Sequence, residues 1–186
     1  IAHNMNDQAE TVLMRMMRGT GLQGLKGIDY MRDGVIIRPI LDIERADIEA
    51  YCEEHKLTPR IDATNLETIY TRNKIRLELI PYMKENFNSN VTESIVRMSN
   101  SLKSDNDFIE EEAIKAFDKV SSKNEDELEI KLNNYINLHK SLKSRIIRHG
   151  IKYVLGDTNF IDQKHIEEVM ELENENKLDK KIVLPR

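Results

Sequence analysis

The stretch His3-Asn-Met-Asn-Asp7-Gln-Ala-Glu10-Thr11, which continues through Arg15 and Arg18 into Gly19-Thr-Gly21-Leu-Gln-Gly24, decides how the chain begins to fold. Apolar residues recur in it at positions 9, 12, 13, 16 and 17, which is the spacing of one helix face. The acids, Thr11 and the two arginines share the opposite face. Gly19 stands where a helix commonly ends in the left-handed conformation. The pattern therefore predicts one amphipathic helix with its apolar stripe turned toward a core.

The polar face of this helix has two interpretations. It is either a solvated face with ion pairs at i,i+3 and i,i+4, or one wall of a ligand site. Glycines at 19, 21 and 24 favour a ligand, because a chain without side chains lets a ligand approach its backbone closely. These glycines also match the string GxGxxG, but a dinucleotide fingerprint must follow a strand and open a helix. Here the string closes a helix, which excludes that cofactor fold.

A second polar stretch runs from residue 57 to residue 76. Asp62 and Asn65 are three residues apart in a predicted loop, where each side chain could simply close a turn on the backbone. Arg72 and Arg76 are one helical turn apart, so they could grip a phosphate together. They could equally form an intramolecular salt bridge to Asp62. Spacing alone leaves both alternatives open.

A third candidate stretch lies in the second half of the chain. Between Ile130 and Gly156 there are six lysines and arginines and no acid, although acids exceed bases by 33 to 28 in the whole chain. Arg145, Arg148 and Lys152 recur at i, i+3 and i+7 and form one basic stripe. The overall charge argues against a general nucleic-acid binder, so RNA contact must come from such local clusters. A solvated basic face is the alternative.

The remaining elements follow from periodicity and turn residues. We predict a hairpin over 30–38 with a two-residue turn at Asp33-Gly34, a helix over 45–56, a helix from about 70 that Pro81 interrupts, and a helical rod over 91–120. Further along we predict a short strand or an extended link at 128–132, helices over 138–155 and after Asp162, and a closing strand at 182–184.

The composition argues against a disulfide-stabilised protein and against a membrane-spanning protein. The single cysteine, Cys52, has no internal disulfide partner and is expected to be a buried small residue. No apolar run approaches the length of a membrane span, and the chain does not begin with a signal peptide. We therefore expect a soluble cytoplasmic protein that contacts no membrane.

Five motifs in order carry a resemblance to a known family. They are His3-x-x-x-Asp7-Gln-x-Glu10-Thr11, Arg18-Gly19-x-Gly21-x-x-Gly24-Leu25, Arg38-Pro39-x-Leu41, Asp62-x-x-Asn65 and Tyr70-x-Arg72-Asn73-x-x-Arg76. Together they resemble the bacterial tRNA(Ile)-lysidine synthetases, which belong to the PP-loop ATP pyrophosphatases. The similarity runs from residue 1 to about residue 85 and continues more faintly to the end.

The resemblance implies a fold. Residues 1–85 would be the C-terminal part of a Rossmann-like, α/β nucleotide-binding domain, and residues 86–186 a mostly α-helical domain that links or binds tRNA. The family's Ser-Gly-Gly-x-Asp-Ser phosphate loop is absent, and the chain opens on Ile1 without methionine. We therefore expect a fragment without its phosphate loop that is inactive alone.

The resemblance also implies a reaction. The complete enzyme would use ATP and Mg²⁺ to adenylate the wobble cytidine of the tRNA(Ile) anticodon loop, and free L-lysine would then displace AMP. A homodimer is compatible with it. The alternatives are a non-catalytic tRNA-binding module and another PP-loop tRNA-modifying enzyme, such as a thiolase or amidotransferase. The absence of a CxxC pair and the motif at 70–76 argue against this last alternative.

The family's motifs assign roles to residues of this sequence. The expected catalytic residues are Asp7, Glu10 and Arg18, with Asp7 also holding magnesium. The expected cofactor-binding residues are His3, Arg15, Gly19 and Gly21. The expected tRNA-binding residues are Asp62, Asn65, Arg72, Asn73 and Arg76, to which the basic stripe adds Arg145, Arg148 and Lys152.

Overall fold

The computed structural model describes residues 1–60, 69–124, 127–173 and 180–185. The chain divides into two compact units, Ile1–Asn106 and Asp107–Arg186. Both are mainly helical, and the described strands form two small two-stranded antiparallel sheets. The predicted division at residues 85 and 86 falls inside the first unit. Asp62 and Asn65 lie outside the described residues.

Helix α1, Met5–Met17, begins and ends as its sequence predicts. The Asn4 side chain accepts a hydrogen bond from the Asp7 N–H, and the Asp7 carboxylate accepts one from the Asn4 N–H, each at 3.0 Å. Gly19 follows the helix with a φ of +76°. The predicted apolar stripe is wrong in its last turn, because Met16 and Met17 are more than half exposed. The core under α1, formed with Ile75, Ile80, Val91 and Val96, packs only against its earlier turns, through Ala9 and Leu13.

The segment after α1 contains a short helix and a hairpin. Helix α2 is Leu22–Leu25, and strands β1, Met31–Arg32, and β2, Ile36–Ile37, pair antiparallel with Met31 opposite Ile37. The predicted turn at Asp33-Gly34 is confirmed, because both residues have a positive φ and the Val35 N–H donates to the Arg32 carbonyl at 3.2 Å. Val35 adds one residue to the loop before β2 begins. Helix α3, Arg45–Glu54, is confirmed, but it has no buried residue. Cys52 is accordingly half-buried, which corrects its predicted burial.

We predicted that Pro81 interrupts the helix that begins near residue 70. The helix instead continues past Pro81, with one wider, π-helical turn before it. Helix α4, Thr71–Lys74, continues through a π-helical turn, Ile75–Leu79, into helix α5, Ile80–Asn86. The N–H of Ile80 donates to the carbonyl of Ile75, five residues earlier. Proline has no N–H to donate, and its ring clashes with the carbonyl four residues before it. The wider turn accommodates the ring without ending the helix.

Helix α6, Val91–Val120, is the predicted rod of 30 residues. It leads into strand β3, Ser121–Lys123, which pairs antiparallel with the predicted strand β4, Leu128–Ile130. The sequence does not predict β3, because Ser-Ser-Lys has little strand preference of its own.

Three helices complete the second unit: α7, Leu132–Tyr135; α8, Lys140–Leu155; and α9, Gln163–Met170, which is followed by a 3₁₀ turn, Glu171–Glu173. Gly156 ends α8 at a φ of +86°, and the Asp162 side chain caps α9, both as predicted. Ile146 and Ile166 are fully buried in the core of this unit.

The closing strand predicted at 182–184 is wrong. These residues form no strand, and Leu184 instead packs its side chain against the core of the second unit. Among the described helices, none combines the length and the apolar composition that crossing a bilayer requires.

Candidate functional site

Four of the predicted site residues meet in one ion-pair quartet, formed by Asp7, Glu10, Arg72 and Arg76. The Nε atoms of Arg72 and Arg76 donate to the two Glu10 carboxylate oxygens at 2.8 and 2.6 Å. The Nη2 atoms of both arginines donate to Asp7 Oδ1 at 3.1 and 3.2 Å, and Nη2 of Arg76 also donates to Glu10 at 2.9 Å. Each arginine thus bridges both carboxylates.

The quartet is a largely buried arrangement of charges. Glu10 is completely buried, and the side chains of Arg76 and Arg72 are 17% and 37% exposed. Removing charges from water is costly unless they are paired and hydrogen-bonded, and here two positive and two negative charges balance. The hydrogen bond from Arg76 to Glu10 raises the pKa of the Arg76 guanidinium, against the opposing effect of burial. Arg72 is the most exposed of the four side chains.

Sequence spacing places each like-charged pair of the quartet on one helix face, and the packing of the two helices brings the pairs together. Asp7 and Glu10 are three apart on α1, while Arg72 on α4 and Arg76 in the π-helical turn are four apart, so each pair shares one helix face. We predicted all four as site residues but considered only Asp62 as an intramolecular partner of the arginines. The pairing with Asp7 and Glu10 was therefore missed.

The hydrogen bonds of the quartet leave Asp7 poorly suited to the magnesium role that we predicted for it. The carboxylate oxygens of Asp7 and Glu10 all accept hydrogen bonds, from the two arginines and from the Asn4 N–H. Asp7 and Glu10 as arranged therefore do not fit a magnesium ion, which would have to displace a guanidinium. No group of three or more histidine, cysteine, aspartate or glutamate side chains that could hold a metal occurs in the part of the chain that the structure describes.

His3 lies beside a buried arginine that was not predicted as a site residue. Arg38 is only 6% exposed; its Nε donates to His3 Nδ1 at 3.0 Å, and its Nη1 donates to the Asp29 carbonyl at 2.6 Å. Burial lowers the pKa of His3, and the charges of Arg38 and Arg72 lower it further against the attraction of Asp7. The Arg38-Pro39 motif was the sequence signal, but it was used only for the family resemblance, and Arg38 was assigned no role.

Arg15, a predicted cofactor-binding residue, has an internal function. Its Nη1 donates to the carbonyls of Gly24 and Gly27 at 3.0 and 2.6 Å and so holds the glycine segment against α1. Gly19 and Gly21 lie open, with no heavy atom within 4 Å of the place where a Cβ would stand. Among the described residues, therefore, nothing requires their lack of a side chain apart from the positive φ of Gly19.

Arg18 stands apart from the quartet. It caps the end of α1 and is exposed. At about 1.5 Å of rise per residue, its backbone lies about 12 Å along the helix from that of Glu10. Asn73, by contrast, is buried in α4 next to Arg72. The structure thus brings Asp7, Glu10, Arg72 and Arg76 together and leaves Arg18 at a distance.

The basic stripe of the second unit is only partly available to a ligand. Arg145 pairs with Glu110, and its side chain is 15% exposed. Arg148 is half-buried and donates to the Ile161 carbonyl at 3.3 Å, whereas Lys152 is exposed. Lys152 and the edge of Arg148 are therefore the parts of the predicted stripe that can reach solvent.

Comparison with known proteins identifies the family. Residues 1–83 match the PP-loop domain. The whole chain is 65% identical over 187 aligned residues to a tRNA(Ile)-lysidine synthase of Clostridioides difficile (strain 630), of which it covers 40%. Over 93% of its length it is 46% identical to a tRNA(Ile)-lysidine synthase of Clostridium tetani (strain Massachusetts / E88), covering 37% of that protein.

A more distant match agrees with these. Over 80% of its length the chain is 34% identical to a tRNA(Ile)-lysidine synthase of Geobacillus kaustophilus (strain HTA426) and covers 32% of it. Two curated relatives align with the whole of this chain, and the chain spans about two fifths of the length of each. The predicted resemblance is confirmed along the whole chain: it belongs to the tRNA(Ile)-lysidine synthase family, and its first 83 residues match the PP-loop domain.

Proposed function

We propose that a protein containing this chain modifies tRNA(Ile) by attaching lysine to the wobble cytidine of its CAU anticodon, at the expense of ATP. The observation that carries this proposal is the 65% identity to a tRNA(Ile)-lysidine synthase over the full length of the chain. The PP-loop domain match over residues 1–83 supports the use of ATP. We infer cytoplasmic localisation from this substrate.

The proposed chemistry has two steps. The O2 atom of the cytidine attacks the α-phosphorus of ATP, and pyrophosphate leaves. The amino group of lysine then attacks C2 of the base, loses a proton and displaces AMP. Activation is needed because the unmodified exocyclic O2 of cytidine is a poor leaving group, and cationic side chains can stabilise the charge that develops on the α-phosphate.

The roles proposed in the first unit follow from exposure. Arg18 is an exposed cation beside the open Gly19 and Gly21, and we assign it to the stabilisation of phosphate charge. Asp7 and Glu10 act by holding Arg72 and Arg76 in place, and the half-exposed Arg72 forms the edge of the quartet that substrate would contact. Asp7 and Glu10 would attract the lysine ammonium group only through a rearrangement of these pairs.

The roles proposed toward tRNA rest on charge and position. We assign Asp62, Asn65, Asn73 and the exposed edge of Arg72 to the tRNA side of the first unit. In the second unit we assign Arg148 and Lys152 to phosphate contacts, because Arg145 is already paired with Glu110. A base in an anticodon loop can be splayed into a pocket without opening a duplex.

The test is the mass of the tRNA product. A protein of the relatives' length that carries this chain is incubated with tRNA(Ile), ATP and L-lysine, and the tRNA is digested and analysed by mass spectrometry. We expect a cytidine whose mass rises by that of lysine minus water, only when ATP and lysine are both present. Tight tRNA binding without a mass change would instead support the non-catalytic module, and a sulfur-containing product would support a different PP-loop enzyme.

A further inference from the structure

The contact between Arg38 and His3 determines where the imidazole carries its proton. Arginine Nε is always protonated and has no lone pair, so it only donates. It lies 3.0 Å from His3 Nδ1, which must therefore accept with its own lone pair. A neutral imidazole whose Nδ1 is an acceptor carries its single proton on Nε2.

The surrounding charges keep this ring neutral. Protonated His3 would direct an Nδ1–H at the guanidinium of Arg38, which cannot accept it. Burial and the charges of Arg38, Arg72 and the Ile1 amino group lower the pKa of His3, and only Asp7 raises it. Arg38 cannot easily turn away, because it is buried and its Nη1 also donates to the Asp29 carbonyl.

We propose that Arg38 is a positioning residue that holds His3 as a neutral Nε2–H donor for an acceptor oxygen of the ligand. No hydrogen bond to His3 Nε2 occurs among the described residues, and His3 is half-exposed. The acceptor is a phosphate oxygen or a carbonyl oxygen of a base. His3 then acts neither as a general base, since its lone pair is occupied, nor as a cation. The ligand in this inference rests on the proposed function, whereas the position of the proton does not.

His55 provides an internal control within the same chain. Its Nδ1 lies 3.0 Å from the Tyr51 carbonyl, which can only accept a hydrogen bond. The neutral His55 ring must therefore carry its proton on Nδ1, opposite to His3. The structure thus assigns different tautomers to two histidines that one measurement can compare.

The first experiment is a long-range ¹H–¹⁵N spectrum of the ¹⁵N-labelled chain between pH 5 and 8. The signals of His3 and His55 are identified by their loss in His3→Gln and His55→Gln variants. We expect His3 to show a protonated Nε2 and an unprotonated Nδ1, and His55 to show the opposite tautomer. A protonated Nδ1 in neutral His3 would overturn the proposal.

Variants of Arg38 test whether this residue is the cause of the lowered pKa of His3. In Arg38→Met the donor and its charge are removed, so the pKa of His3 should rise toward the ordinary histidine value. Arg38→Lys retains a donor cation and should keep the pKa low. A pKa that is equal in all three proteins would contradict the proposal. If Arg38→Met does not fold, the comparison of His3 with His55 in the unmodified chain still decides.

The final experiment measures adenylation in a protein of the relatives' length, with glutamine or asparagine at position 3. The glutamine amide can donate near the position of Nε2, whereas the shorter asparagine amide lies near that of Nδ1. We expect His3→Gln to lose less than about 10-fold and His3→Asn to lose more, whereas loss of a general base would cost roughly 10²- to 10⁴-fold in both variants. Equal, large losses in both variants would refute the donor role. If the unmodified protein is itself inactive, the proposed function fails while the NMR result still stands.

Discussion

Glu10 shows how a single buried carboxylate determines the local structure. It is completely inaccessible to solvent, and its two oxygens accept three hydrogen bonds from Arg72 and Arg76. Breaking a buried charge pair by removing one partner is costly, because the other charge stays buried without compensation. If the charge of Glu10 were removed, the guanidinium groups of Arg72 and Arg76 would both lose a negatively charged partner.

We predict that Glu10→Gln lowers the free energy of unfolding by about 3 kcal/mol, within the range for a broken buried ion pair. The amide keeps the shape of the side chain but cannot neutralise two arginines. Urea unfolding of the chain, followed by circular dichroism, measures the change. The control is Glu49→Gln on the exposed helix α3, for which we expect a change below about 0.5 kcal/mol. Equal stability of the Glu10→Gln protein and the unmodified chain would show that the quartet contributes little.

Glu110 gives the second unit a pH-dependent contribution to stability. A hydrogen bond from His149 and a weaker effect of the hydrogen bond from Arg145 lower the pKa of Glu110 from 4.5 to about 2, although burial opposes the shift. A carboxyl group with a lowered pKa in the folded state stabilises the fold above its unfolded pKa, and this contribution is lost as the pH falls toward the folded value.

We therefore predict that the unmodified chain loses stability relative to Glu110→Gln as the pH falls from about 5 to about 2. The expected difference is roughly 1–2 kcal/mol, reduced from the full effect of the shift because the Glu110 side chain is 33% exposed. Urea midpoints of both proteins across this pH range measure it. A constant difference between the two proteins at every pH would contradict the prediction.

At the level of elements, two glycines after α1 differ in backbone conformation while their surroundings are equally open. Gly19 has a φ of +76°, and Gly21 has a φ of −83°. No heavy atom lies within 4 Å of a Cβ built on either. Any difference between alanine substitutions at these positions therefore reports backbone strain and not a clash.

We predict that Gly19→Ala lowers the free energy of unfolding by about 1 kcal/mol, because a side chain disfavours the left-handed conformation that ends α1. Gly21→Ala should be close to neutral and is the matched control. Thermal and urea unfolding of the two variants measure the difference. Adenylation assays of the same variants in the longer protein test their proposed roles, since a ligand that approaches Gly21 would make its alanine variant inactive but stable.

At the level of the whole molecule, the proposed RNA binding requires a local basic surface, because the chain as a whole is acidic. The net charge is −5, and Arg145 of the basic stripe is neutralised by Glu110. Lys152 and Arg148 are left to attract phosphates. A cationic side chain that binds a phosphate releases counterions from the RNA, so removing that side chain changes the salt dependence of binding.

We predict that Lys152→Ala weakens tRNA binding by a protein of the relatives' length. The plot of log K against log salt concentration, which falls with salt, should become less steep by about 0.9 for each phosphate that the variant no longer neutralises. Binding assays at several salt concentrations measure both effects. Lys164→Ala is the control, because Lys164 is 81% exposed on α9 but lies outside the stripe. Equal effects of the two substitutions would show that only general charge matters.

Local sequence signals predicted most element boundaries of this protein. Capping residues and glycines determine where a helix begins and ends, and these interactions lie within a few residues of one another. The start of α9 at Asp162 and the end of α8 at Gly156 are confirmed for this reason. The closing strand and the effect of Pro81 were predicted wrongly, because each depends on what packs or pairs around it.

The amino-acid sequence alone determined the family and named the residues of the quartet, because motif identity and spacing are local properties of the chain. Only the tertiary structure decided that Asp7 and Glu10 bind Arg72 and Arg76, and that Arg38 holds His3. These partners are 35 to 69 residues apart in sequence. Spacing shows which residues share a helix face, but the packing of one helix on another decides which faces meet and which charges remain free for a substrate.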